Sequence, residues 1–72
     1  MPAMKNNTYK KIEIVGTSPD SFSDAVQNGL KRAAQTVKNL DWFEVSELRG
    51  RIDKDSVGQF QVTLKIGFRL ED

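Results

Sequence analysis

The chain contains no cysteine and no histidine. A disulfide is therefore excluded, a structural zinc site loses its usual ligands, and thiol nucleophiles, Ser-His pairs and imidazole bases are all missing. That removes the commonest catalytic devices and argues against an enzyme. Charge of one sign is also lacking: 11 Lys+Arg stand against 10 Asp+Glu, a net charge of +1. Such a balance provides no overall basic field of the kind that drives non-specific nucleic-acid binding. No apolar run approaches the ~20 residues needed to span a bilayer, and Met1 to Thr8 lacks the apolar core of a signal peptide. The expectation is a cytoplasmic protein that binds neither nucleic acid nor membrane.

At 72 residues the chain is a single domain, and one that buries only roughly 60% of the surface its unfolded chain exposes. Domains of this size usually recruit a disulfide, a metal or a partner subunit. With the first two absent, oligomerisation is the remaining source of stability. Residues 1–8 are polar and without periodicity, and read as a flexible N-terminal arm; residues 9–72 carry the folded domain.

From Tyr9 the chain alternates, Ile12 and Ile14 on one face and Lys11 and Glu13 on the other, as in a half-buried strand ending at Gly16. Thr17-Ser18-Pro19-Asp20-Ser21 reads as a helix start, with Ser18 capping and Pro19 in the first helical position. Phe22, Ala25, Val26, Gly29, Leu30, Ala33, Ala34, Val37 and Leu40 then recur at spacings of three and four, a stripe about five turns long. Gly29 on that stripe would allow close approach to a sheet. The opposite face, with Lys31, Arg32 and Lys38, is either a solvated surface or a contact for a partner subunit or an anionic ligand, for which Arg32 is the candidate.

A second strand starts at Trp42 and runs to about Ile52. Its phase slips, because Phe43 and Val45 are odd while Leu48 and Ile52 are even. A bulge or bend between Ser46 and Gly50 accounts for the slip, as does burial of Leu48 and Ile52 against another subunit. Asp53-Lys54-Asp55-Ser56 is a turn. In the third strand Phe60, Val62, Leu64, Ile66, Phe68 and Leu70 alternate with Gln59, Gln61, Thr63, Lys65, Gly67 and Arg69. So long and regular a strand belongs in the centre of the sheet. The fold predicted is α+β: a β-α-β-β chain forming a three-stranded antiparallel sheet of order 1-3-2 wrapped around one amphipathic helix.

The helix covers one face of this sheet and leaves the other displaying Trp42, Glu44 and Ser46 beside Gln61, Thr63, Lys65 and Arg69. A large aromatic on a polar face calls for a cover: another subunit, a nucleobase or a flat heteroaromatic ligand. For a planar ligand, Trp42 stacks on one face while the amide of Gln61, both donor and acceptor, reads the polar edge. The second face of that ligand is closed by a symmetry mate's Trp42 or by a second ligand, so binding and oligomerisation are linked. A structural oligomeric shell with Trp42 as an interface anchor and a single-strand nucleic-acid platform use the same residue. One stacking residue and a net charge of +1 argue against the nucleic-acid reading.

Tyr9-Lys10-Lys11, Gly16-Thr17-Ser18, Asp41-Trp42-Phe43-Glu44-Val45, Arg49-Gly50, Gln61-Val62 and Gly67-Phe68, in this order and at these spacings, resemble the dodecins, small flavin-binding proteins. The likeness spans residues 9–70. It implies a hollow homododecamer in which flavin pairs stack between Trp42 residues of neighbouring subunits, with Gln61 hydrogen-bonded to the isoalloxazine edge. It further implies flavin storage and quenching rather than catalysis. Flavin mononucleotide (FMN) is the ligand expected for a bacterial type, with riboflavin or a related flavin as alternatives. Arg49 and Arg69 match positions near the flavin channel, where they hold a phosphate or build subunit salt bridges. Coenzyme A is a further ligand suggested by some relatives, with Arg32 as its contact. No metal site is carried over from the halophilic members, whose acidic surface is missing here.

Overall fold

The computed structural model of the protein describes residues 6–71. Four elements follow one another: β1 (Tyr9–Ser18), α1 (Phe22–Ala33), β2 (Leu40–Asp53) and β3 (Ser56–Arg69). β3 pairs antiparallel with both other strands, so the sheet has the order β1-β3-β2 that the alternation of β3 predicts. Of the arm expected over 1–8, residues 1–5 lie outside the described residues, and Thr8 already contributes its carbonyl to the backbone N–H of Leu70 at 2.9 Å.

Element ends differ from the sequence reading in two places. β1 does not stop at Gly16 but stays paired through Thr17↔Gln61 and Ser18↔Phe60. The helix begins only at Phe22, so Ser18 is not its N-cap. Its hydroxyl instead accepts from Asp20 N at 2.9 Å and donates to Asp24 Oδ2 at 2.7 Å. The N-cap is Ser21, whose Oγ accepts from Asp24 N at 2.9 Å. At the other end α1 stops at Ala33, two turns short of the expected stripe. Gln35 N and Thr36 N bond back three residues to Arg32 and Ala33, tightening the last turn. Asn39 then takes φ 64, a left-handed conformation that asparagine tolerates better than most residues. Its carbonyl accepts from Arg69 N at 3.1 Å and its amide donates to Arg69 O at 3.3 Å. Leu40, which continues the helical spacing, thereby joins β2 and reaches the core from the sheet.

The core is formed by Val62, Leu64 and Ile66 of β3 and by Ala25 and Ala33 of α1, with Ile12, Ile14, Val26, Leu30 and Leu40 packed against it. Small residues on α1 bring it close to β1. A Cβ at Gly29 would lie 3.2 Å from the Cα of Gly16 and 3.1 Å from Leu64 Cδ1, and one at Gly16 would collide with the carbonyl of Ala25. The close approach suggested by Gly29 in the sequence is thus a crossing of two glycines.

The phase slip in β2 is a bulge. Val45 faces Leu64 and Glu47 faces Thr63, which leaves Ser46 as the extra residue. Phe43, Val45 and Leu48 therefore share the face of Ile66, Leu64 and Val62, while Trp42, Glu44, Glu47 and Arg49 share the opposite one. At the distal end Lys54 and Asp55 both have positive φ, as a two-residue hairpin turn of type I′ requires.

α1 packs on β1 and β3, which leaves the apolar row of β2 uncovered. Leu48 is 60% exposed, Ile52 77% and Val57 of the facing strand 57%. Among the described residues no third strand accompanies the hairpin beyond Ser18↔Phe60, so its tip is a two-stranded arm. The radius of gyration is 15.4 Å, against about 11 Å for a compact chain of this length. The chain is extended because the β2–β3 hairpin runs on past the end of β1, which leaves apolar surface on it without cover from the chain's own residues.

Candidate functional site

The sheet's outer face is built by three strands in two ladders, whose register is fixed by the buried side. Tyr9 and Lys11 of β1 lie opposite Arg69 and Gly67 of β3, and Trp42 and Glu44 of β2 lie opposite Gly67 and Lys65. Gly67 has no side chain, and the indole of Trp42 occupies the space that one would fill: a Cβ there would collide with Cζ2, Cη2 and Cε2 of the ring. A glycine within a strand often marks such a close approach. Tyr9 closes the flank of the indole edge-on, with ring centroids 5.2 Å apart and planes at 70°. The indole nevertheless stays 38% exposed.

Polar contacts fix its orientation. Trp42 Nε1 donates to Glu44 Oε2 at 3.0 Å, and the Lys11 ammonium donates to both Glu44 oxygens at 3.2 and 3.4 Å. Lys11 reaches Glu44 from β1 across the central strand. The hydrogen bond from Trp42, followed by that from Lys11 and its charge, holds the Glu44 carboxyl below its ordinary value of 4.5, and the charge of Lys65 adds to this. Sequence reasoning placed Glu44 on this face but missed its link with Trp42 and Lys11. The signal available was Gly67, an unexplained glycine in the most regular strand of the chain.

The four expected site residues fall into two groups. Arg69 lies two positions from Gly67 at the Trp42 end of the face, whereas Gln61 is the ladder partner of Arg49. Gln61 is half-buried and donates from Nε2 to Gln59 Oε1 at 2.8 Å. Arg49 approaches Glu47 at 4.0 Å, with both side chains more than half exposed, so this pair contributes little to stability. Gln61 and Gly67 are six positions apart on β3, roughly 20 Å at about 3.4 Å per residue. Trp42 and Gln61 therefore share a face but do not meet within one chain, contrary to the neighbourhood expected from their common face. Alternation determines the side of a sheet, not the position along it.

Arg32 lies on α1, in the layer on the other side of the sheet, and its guanidinium donates to Gln35 Oε1 at 3.2 Å. It borders an open groove with Asn28, Thr17 and Thr36. Among the described residues no group of three or more acidic side chains is placed to hold a metal ion, and no helix is long and apolar enough to cross a membrane.

Comparison with known proteins identifies the family. The family model described as Dodecin matches residues 8–71. The chain is 52% identical over 64 residues to the dodecin of Thermus thermophilus, covering 89% of this chain and 93% of that protein. It superposes on the structure of dodecin from Streptomyces coelicolor with a TM-score of 0.92 and 54% identity, covering 96% of this chain and 99% of that one. The calcium dodecin of Mycobacterium tuberculosis, solved with a calcium-binding site, is more distant: its TM-score is 0.78 at 28% identity, covering 89% of this chain and 91% of that one. The chain thus belongs to the dodecin family, small homo-oligomeric proteins that generally bind flavins.

Proposed function

We propose that this chain binds and stores flavin, FMN foremost, in a homododecamer, and that it is not a catalyst. The flavin stacks on Trp42 and its polar edge is read by Gln61 of a second chain. The observation that carries this reading is the indole of Trp42: it is seated on Gly67, oriented by Glu44 and still 38% exposed. A flat, preoriented aromatic surface of this kind suits a flat ring system.

The separation of Trp42 and Gln61 along β3 requires two chains for one ligand, and the uncovered row of Leu48, Ile52 and Val57 supplies the apolar surface that brings chains together. Arg69 at the Trp42 end and Arg49 at the Gln61 end are the cations available to a flavin phosphate. Guanidinium groups suit that role because their planar donors match phosphate geometry. An electron-rich indole against the isoalloxazine quenches its excited state, which suits storage of a photoreactive molecule. The calcium of the Mycobacterium relative is not carried over, since the described residues offer no acidic cluster. Coenzyme A has less support than flavin, because Arg32 lies in the helix layer with its guanidinium bonded to Gln35.

Titration of the apo-protein into FMN tests the proposal. Flavin fluorescence should fall on binding, the purified particle should run near twelve chains on size exclusion, and Trp42→Ala should abolish most of the quenching. Unquenched FMN at micromolar protein would overturn the flavin reading and leave a structural shell.

A further inference from the structure

The link between Lys11, Glu44 and Trp42 spans all three strands, and its residues lie on the face proposed to take flavin. Seating on Gly67 and the edge contact with Tyr9 confine the indole from below and from one side. Neither is directional for the ring nitrogen. The bond to Glu44 is, because an N–H donor to a carboxylate is strong and angle-dependent. The carboxylate is in turn held from the far strand: Glu44 Oε2 accepts from both Trp42 Nε1 and Lys11 Nζ, while Oε1 accepts from Lys11 alone. Gly67 makes this possible by leaving room for the indole from the β2 side, while Lys11 is its ladder partner on the β1 side.

We infer that Glu44, bridged by Lys11, is a positioning residue for flavin binding: it fixes the orientation of Trp42 before the ligand arrives. The inference rests on the flavin reading proposed above. A side chain oriented in advance spares the ligand the cost of ordering it, so loss of Glu44 weakens binding without removing the stacking surface. The charged and titratable groups facing Glu44 are Lys11, Glu13 and Tyr9 from β1, Lys65 and Arg69 from β3 and Glu47 on its own strand. Protonation of Glu44 removes the charge that strengthens both bonds and puts an O–H donor on the carboxyl facing the Lys11 ammonium. FMN affinity therefore falls as pH drops through the Glu44 pKa, which Trp42 and Lys11 keep below 4.5.

The test compares Glu44→Leu, Glu44→Gln and Lys11→Met with the parent by FMN titration, size exclusion at each pH, and the ultraviolet resonance Raman band that reports hydrogen bonding of the indole N–H. Glu44→Leu should weaken FMN roughly tenfold, the scale of one charge-assisted hydrogen bond. Lys11→Met should cost about two- to fivefold, as an exposed ion pair does. In both the particle mass stays unchanged, and in Glu44→Leu the Raman band moves to that of a free N–H. Glu44→Gln keeps the size and one acceptor oxygen and should lose the acid limb of the parent's affinity profile. Should the leucine variant fail to assemble, the glutamine variant carries the comparison through that limb. Parent-like affinity in Glu44→Leu, or weaker affinity with the Raman band unmoved, overturns the inference. If the parent itself does not bind FMN, the flavin reading fails, and the Raman comparison alone still decides whether Glu44 holds the indole.

Discussion

The indole of Trp42 and the backbone of Gly67 are in direct contact across the β2–β3 ladder, the ring lying where a side chain at Gly67 would be. The exposed aromatic is therefore not free to swing. One side of it belongs to the sheet, and what remains available is a surface set by the pleat of β3.

Gly67→Ala should unseat the ring. The added Cβ collides with atoms of the six-membered ring rather than with a flexible tip, so the indole must tilt or leave. We expect at least a tenfold loss of FMN affinity, about 1.4 kcal/mol, together with a red shift of tryptophan emission. Circular dichroism should stay parent-like, because alanine is no worse than glycine in a strand. Titration and emission spectra on the same sample check this.

A different glycine pair governs stability. At Gly29 an alanine would stand 3.1 Å from Leu64 Cδ1 and 3.2 Å from Gly16 Cα. Its helix-propensity gain of about 1 kcal/mol opposes an overpacking cost of about 1–3 kcal/mol. Gly29→Ala should thus be neutral to mildly destabilising. Gly16→Ala meets a backbone carbonyl of α1 and cannot relax by rotating a side chain, so it should be clearly the worse of the two. Chemical denaturation at fixed protein concentration ranks them.

The parts of the fold visible in the sequence were those that alternation or spacing fixes by itself. β3 gave its buried face and its central place, and the odd-to-even slip from Val45 to Leu48 announced the bulge now located at Ser46. The helix was read two turns too long because Val37 and Leu40 keep its spacing. Pairing of Asn39 with Arg69 draws that segment into the sheet, and such a long-range contact leaves no local trace. The separation of Trp42 from Gln61 was hidden for a similar reason. Trp42 and Gln61 were placed on the correct face, but their distance along it depends on register, which only the ladder reveals.

Exposure of the β2 row leads to a prediction on assembly. Leu48→Lys or Ile52→Lys places a charge on apolar surface that the lone chain leaves 60% and 77% exposed. A free monomer would tolerate either change, since an exposed lysine costs little. In an assembly that buries this row, an unpaired charge costs several kcal/mol. Size exclusion should show the particle mass collapsing toward smaller species, with FMN quenching lost in parallel because the proposed site needs two chains. A monomeric parent, or variants that keep the parent's particle mass, would contradict the prediction.

The distance between Trp42 and Gln61 allows the two-chain site to be tested by complementation. Trp42→Ala chains lack the stacking surface but keep Gln61, and Gln61→Ala chains lack the edge-reading amide but keep Trp42. Assembled separately, the first should scarcely quench FMN and the second should bind about tenfold more weakly, the scale of one hydrogen bond to a polar edge left unmade. Mixed, unfolded and reassembled together, they form some sites in which an intact Trp42 from one chain faces an intact Gln61 from the other. A fraction of sites should then bind with parental affinity, seen as a high-affinity phase absent from either variant alone. If both residues acted on a flavin from the same chain, no mixed site would be whole and the titration would be the plain sum of the two variants. The roughly 20 Å that six residues of β3 place between them argues for the high-affinity phase.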